Sequence, residues 1–295
     1  MKKLLLATLS VIVIAGCVKD IPYEDQPVPI SFGAGLSTVN TRAPIANLTS
    51  GLTGIQMLRA ADHATTPDWT AVSSVATTAN IATDGAVGTL STAQYYNPNP
   101  ALNAWFMSFY PSGTMGTGKV SWTITGQEDI IVAPSVSAGN KSSPVNPTTL
   151  AFAHKLTQLQ FEVLGASATA ITQWGTISSI KVNADTALEL TLSTNALASA
   201  SAPVNADLTI SGTFPVTLTT SAAAVGVIMV KPGALNTIKV TTANTSEQSV
   251  SITGLTTTAA GSAHKITLTF TEWGGITFSA SLTDWATGTA GAGSL

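Results

Sequence analysis

The sequence predicts an all-β protein of the sandwich type, and three observations carry the prediction. Thr, Ser, Ala, Val and Ile are abundant beyond the first residues, and Gly and Pro recur between short apolar runs. Within those runs apolar and polar residues alternate, the period of a strand with one buried face. The runs recur roughly every 8–12 residues with no helical pattern between them. Hydrophobic residues make up 44% of the 295-residue chain, which argues against disorder, and the length suits two domains. Only 9% of residues are charged, 12 basic against 15 acidic, with no basic stripe, which argues against a nucleic-acid surface. Low charge with many hydroxyls fits an extracellular surface. No fixed-period repeat is present, which argues against a solenoid or propeller.

The N-terminus, residues 1–16, has the build of a lipoprotein signal peptide. Lys2-Lys3 form a basic start, and Leu4 to Ala15 form an apolar stretch too short to span a bilayer. Ile14-Ala15-Gly16-Cys17 then has the aliphatic-small-small-Cys pattern of a lipidation site. Cys17 is the sole cysteine, so intrachain disulfides and thiolate metal sites are excluded. Acylation there would anchor the chain stably, and Val18 rather than Asp after the cysteine fits the outer membrane. Loss of residues 1–16 removes Lys2 and Lys3 and leaves 10 basic against 15 acidic residues, a formal charge of −5. Residues 17–29 hold three prolines and three acids and are expected to form an extended tether.

The first expected strand, Ile30 to Leu36, is followed by a loop at Asn40-Thr41-Arg42-Ala43-Pro44 and a strand at Gly54–Leu58. Residues 60–93 are polar and Ala/Thr-rich and are expected to be irregular with short strands. Ala104 to Pro111, the most apolar run outside the signal, predicts a fully buried core strand. Strands at Val120–Ile124 and Asp129–Ala133 follow. Residues 134–149, with three prolines, four serines and two asparagines, mark the expected boundary between domains 30–145 and 146–295. Beyond it the pattern predicts strands at Leu150–Leu156, Leu159–Val163, Ile177–Val182, Leu188–Leu192, Leu208–Ile210, Val216–Leu218, Val225–Val230, Ile238–Val240, Val250–Ile252 and Ile266–Phe270. The Gly/Ala/Thr tail after Trp285 is expected to be flexible.

Motifs for catalysis, cofactors or metals are absent: there is no Gly-x-Ser-x-Gly, His-Glu-x-x-His, phosphate-binding glycine loop or EF-hand pattern. His63, His154 and His264 lack metal-ligand spacing, and His154 alternates with Phe152 and Leu156 as a packed histidine would. Glu128 and Asp129 are adjacent, so on a strand they face opposite sides and cannot act as a pair. Six tryptophans would suit a glycan binder if exposed, but Trp105 and Trp122 lie in core-like patterns.

The first and last strands share a pattern. Ile30, Phe32, Ala34 and Leu36 alternate along one, and Ile276, Phe278, Ala280 and Leu282 along the other. In extended chains both quartets form the same apolar stripe, so a groove shaped for one could accept the other. Usage frequencies predict roughly one such match by chance in a chain this long, so its weight comes from position. Arg42-Ala43, an arginine-protease site, lies six residues after the first copy. Removing a strand from a sandwich exposes an apolar groove and two unpaired edges, which a second copy's strand could refill.

The lipidation pattern, the Ile-x-Phe strand with Thr41-Arg42-Ala43 after it and the Phe106-x-x-Phe109-Tyr110-Pro111 run resemble the fimbrillin family of Bacteroidetes. So do Leu150-x-Phe152-x-His154-Lys155-Leu156 and Ile276-x-Phe278-x-Ala280-x-Leu282-x-x-Trp285. The resemblance implies two Greek-key β-sandwich domains of transthyretin-like type, export as a lipoprotein, and assembly with other fimbrial subunits at the outer membrane. It also implies protease removal of the first strand at Arg42-Ala43 and donation of the last strand to a neighbour. Asp185-Thr186-Ala187 resembles an O-glycosylation acceptor of the same bacteria, although an ordinary turn accounts for it. Two other readings stand beside the fimbrial stalk: a monomeric lipoprotein that binds glycans or a host ligand, and an anchor subunit that keeps its first strand.

Overall fold

The computed structural model describes residues 26–36, 51–234, 237–250, 257–272 and 276–283. In chain order the first strands are β1 (Phe32–Leu36), β2 (Leu52–His63), β3 (Thr77–Ile81), β4 (Asn103–Tyr110), β5 (Thr114–Gly116), β6 (Lys119–Thr123) and β7 (Ile131–Ser137). β8 (Gly139–Asn140), β9 (Ser143–Pro144), β10 (Thr148–His154) and β11 (Thr157–Gly165) lead to a helix, α1 (Ala168–Trp174). Then come β12 (Ile177–Asp185), β13 (Ala187–Thr191), β14 (Ala196–Ser199), β15 (Asn205–Thr209) and β16 (Ala223–Val230). β17 (Ile238–Thr242), β18 (Gln248–Val250), β19 (Ala263–Phe270) and β20 (Ile276–Thr283) complete the order. The protein is all-β, as the alternating pattern predicts.

A six-stranded sheet in the order β1-β10-β7-β4-β2-β3 dominates the first half. Its centre is β4, where both faces are buried, which is why Ala104–Tyr110 reads as a continuous apolar run. Ala104 and Phe106 face one core together with Phe32, Ile55, Leu150 and Phe152. Met107 and Phe109 face a second core with Trp122, Val132, Leu188 and Leu190. Burying each such side chain contributes about 1.5–3 kcal/mol before entropy is counted.

The second half is a two-sheet sandwich. One sheet runs β16-β11-β19-β20 and the other β15-β12-β17-β18. Leu159, Phe161, Ile180, Val240, Leu268 and Phe270 meet between them. A further sheet, β14-β13-β6-β5, draws strands from both halves: β6 pairs antiparallel with β13 from Thr123↔Ala187 to Lys119↔Thr191. Residues 134–149 form the end of β7, the β8–β9 hairpin and the start of β10. β10 stays in the first sheet, where Ala153 pairs with Val132 and His154 with Ile131, and the next strand to begin, β11, belongs to another sheet.

α1 corrects the expectation of an uninterrupted strand series. Ser167 caps it, its hydroxyl accepting from the Ala170 N–H at 3.1 Å, and Gly175 closes it at φ 70°. Trp174 anchors it, edge-on to Phe270 at 5.4 Å, with its Nε1–H donating to the Thr271 carbonyl. The cap residues were visible in the sequence, but seven helical residues are too few for their periodicity to stand out. Val216 likewise makes a single bridge with Ile177 rather than opening a strand.

Candidate functional site

β1 lies in a slot closed on both sides. On one side it pairs parallel with β10, from Phe32↔Thr148 to Leu36↔Phe152. On the other side the segment that follows β3 passes along it as an arm. The Ala34 N–H donates to the Gly85 carbonyl (2.9 Å), the Ile30 N–H to Gln94 (2.8 Å), and the Tyr96 N–H to the Val28 carbonyl (3.0 Å). Close approach there requires glycine: Gly85 has φ +85°, and a Cβ on it would stand 2.5 Å from the Ala34 carbonyl oxygen. Ile30 and Phe32 are buried, and Ala34 and Leu36 pack against the same core while half-buried. The slot's floor is Phe106, against which Phe32 packs edge-on at 4.8 Å.

A polar network fixes the arm. The Arg59 guanidinium donates to both Asp62 carboxylate oxygens at 2.9 Å and to Gln94 Oε1 at 3.2 Å, and lies 5.4 Å from the Phe106 ring centroid. Asn97 donates to Asp62 at 3.1 Å. The Tyr96 hydroxyl donates to the Ala138 carbonyl at 3.0 Å, and burial pushes its pKa above the usual phenol range. Arg59 therefore connects the floor of the slot to the arm that covers β1. Sequence reasoning missed this arm, because residues 60–93 carry no long alternating run. The signals were Asp84-Gly85 and the spaced Val87, Leu90 and Tyr96.

β20 occupies a different edge. It pairs antiparallel with β19 at eight positions, from Ile276↔Phe270 to Thr283↔Ala263, at the border of its sheet. Phe278 stands opposite Leu268, Ala280 opposite Ile266 and Leu282 opposite His264. Ile276 packs against the second sandwich's core. The two strands that share an apolar pattern are thus both docked within the chain, in separate sheets. Cys17, Arg42, Ala43 and Trp285 lie outside the described residues.

The remaining singled-out groups have structural surroundings. His154 Nδ1 lies 2.9 Å from Asp129, both side chains buried, while the neighbouring Glu128 accepts from Thr125, so the adjacent acids do point apart. His63 Nδ1 accepts the Thr65 and Thr66 N–H groups. His264 is buried with no hydrogen-bond partner on either ring nitrogen among the described residues, and burial holds its pKa below the usual imidazole range. Among the described residues no three His, Cys, Asp or Glu side chains cluster as metal ligands. Trp69, Trp122 and Trp174 are buried, and half-buried Trp105 donates to the His63 carbonyl. Thr186 is buried at the β12–β13 junction, its hydroxyl donating to the Val204 carbonyl at 2.9 Å, which favours the plain turn over a glycan acceptor.

The sequence matches the fimbrillin-like family over residues 41–285. The chain belongs to that family. The matched span begins one residue before Arg42, so it omits β1 and includes β20. Among solved structures, a candidate cell adhesion protein from Bacteroides uniformis superposes with a TM-score of 0.60 at 17% identity, covering 88% of this chain and 100% of its own. One from Bacteroides ovatus gives 0.60 at 15% identity, covering 88% and 99%. A fimbrial protein from Bacteroides vulgatus gives 0.51 at 13% identity, covering 87% and 99%. At these identities the likeness is one of fold. A search of curated proteins finds no match. Fimbrillin-like membership is a structural, non-enzymatic affiliation.

Proposed function

We propose that this chain is a structural subunit of a surface fimbria, exported as a lipoprotein on Cys17 and assembled by strand exchange. An arginine-specific protease cuts between Arg42 and Ala43, the Ile30–Leu36 strand leaves its slot, and the Ile276–Leu282 strand of another subunit takes its place. One cut also separates the fold from the lipid, so release from the outer membrane and competence for assembly arise together. Growth is head-to-tail and open-ended, because slot and donor are different surfaces.

The observation that carries this reading is the slot itself. β1 is flanked by β10 and by the arm and covers Phe106, so its loss leaves a straight apolar channel with a pairable edge on each side. Monomeric glycan binding has less support, since the described tryptophans offer no exposed stacking platform. Exposure to an arginine-specific protease should yield a new N-terminus at Ala43 and fibres by electron microscopy, whereas Arg42→Ala should remain lipid-bound and monomeric. Fibres of normal length from Arg42→Ala would overturn the mechanism. A wild-type chain that resists the protease would instead be an anchor subunit.

A further inference from the structure

The two terminal strands differ at their intervening positions. Ser31, Gly33 and Gly35 in the first stand where the last has Thr277, Ser279 and Ser281. Glycine inside a strand calls for a reason, either a positive φ or a neighbour that a Cβ would strike. Gly33 and Gly35 have neither. Both lie outside the positive-φ region, a Cβ on Gly33 would sit 3.9 Å from Pro147 in ordinary contact, and one on Gly35 would meet nothing within 4 Å among the described residues. Elsewhere the reason is plain: a Cβ on Gly139 would stand 2.3 Å from the Ser143 carbonyl oxygen, and one on Gly226 1.7 Å from that of Ser211. Ser31 is exposed, in contact with the Asn146 side chain, and leaves its outward position open to a threonine.

We propose that these two glycines make the first strand the weaker of two occupants of one slot. The 276–282 strand of a second copy then holds the slot more tightly than residues 30–36 do, seated in the same direction and register. This rests on the reading of β1 as removable. In that register Ile276, Phe278, Ala280 and Leu282 replace Ile30, Phe32, Ala34 and Leu36 one for one, so the inward stripe is unchanged. The difference lies on the outward side. Each glycine loses more backbone freedom on docking than serine does, and threonine is the better strand former than serine. Two glycines together amount to about a tenfold bias in the docking equilibrium, or ~1.4 kcal/mol. Exchange thus runs toward the neighbour's strand without any change in the core contacts.

Two measurements test this. In the purified uncut chain, Gly33→Ser with Gly35→Ser should slow amide exchange across residues 30–36 by about tenfold, with β11 and β19 unchanged. Equal or faster exchange at 30–36 would overturn the proposal, and because the substitutions are expected to stabilise, misfolding does not mimic success. In the chain cut after Arg42, a labelled peptide of residues 275–283 should bind about tenfold more tightly than one of residues 29–37, and serine at 33 and 35 should abolish the difference. Equal affinities would overturn the preference. Binding of neither peptide would overturn strand exchange and the preference with it, whereas the amide-exchange result on the uncut chain does not depend on exchange at all.

Discussion

β1 runs parallel to β10 over five paired positions, with an arm along its other side, whereas β20 runs antiparallel to β19 over eight and sits at the border of its sheet. One apolar alternation therefore serves two unlike hydrogen-bonding environments. The alternation determines which face a strand buries and is silent on partner, direction and ladder length. The contrast also bears on assembly. A strand moving from β19 to an empty slot gives up one long edge and gains two shorter ones, with Phe106 beneath it. On the proposed exchange, the uncut chain would keep both strands at home because its slot is already filled.

The largest expected effect in this comparison comes from the slot's floor. Phe106→Ala removes the ring that meets both Phe32 and Arg59 and should cost about 3–5 kcal/mol by denaturant unfolding. Protection should fall most in residues 28–36, while β19–β20 stays protected. Equal losses at both terminal strands would erase the distinction drawn between them.

A smaller effect is expected at the arm. Arg59→Met keeps apolar volume over Phe106 but removes the hydrogen bonds to Asp62 and Gln94, and should weaken arm and first strand by about 1.5–3 kcal/mol. Coupling between Arg59→Met and Gln94→Met in a double-mutant cycle checks that the effect passes through the arm, since additive losses would mean it does not.

The smallest effect is specific to the other strand. His264, opposite Leu282, has its folded pKa lowered below the ordinary value near 6.5, so the unfolded chain binds more protons as the solution is acidified. Its contribution is therefore present above the unfolded pKa and is lost as pH falls below it. The opening free energy along β19–β20, taken from amide exchange corrected for its intrinsic pH dependence, should fall on mild acidification, and His264→Leu should remove that dependence. Acid sensitivity confined to β1 instead would point to another group.

Most of the fold was legible because its strands have one clean face. β10, β11 and β19 alternate buried residues with half-buried or exposed ones almost without break, and β4 reveals itself by being buried on both sides. The arm was not legible: it is held by single hydrogen bonds to β1 and by side chains of Arg59 and Asp62 far away in sequence, which leave no period. Nor was the sheet shared by β6 and β13, since alternation predicts a strand and not its partner. At the candidate site the stripe Ile30–Leu36 was readable, and the flank, floor and clasp that give it meaning were not. Residues 134–149 look like a linker by composition because a two-residue-strand hairpin uses the same Gly, Pro, Ser and Asn.

The central claim is that a neighbour's last strand fills the slot in the place of the first. It is tested most directly by cross-linking two single-cysteine chains. Ala151 is exposed on β10 and stands opposite Gly35, whose place Ser281 would take, whereas within its own chain Ser281 stands opposite Lys265. A chain bearing Ala151→Cys is mixed with one bearing Ser281→Cys, both cut after Arg42 and so freed of Cys17. The account predicts a disulfide-linked dimer from this pair and none when Thr277→Cys replaces Ser281→Cys, because paired positions across strands satisfy disulfide geometry and offset ones do not. Cross-linking through position 277 alone, or through neither position while fibres form, would contradict it.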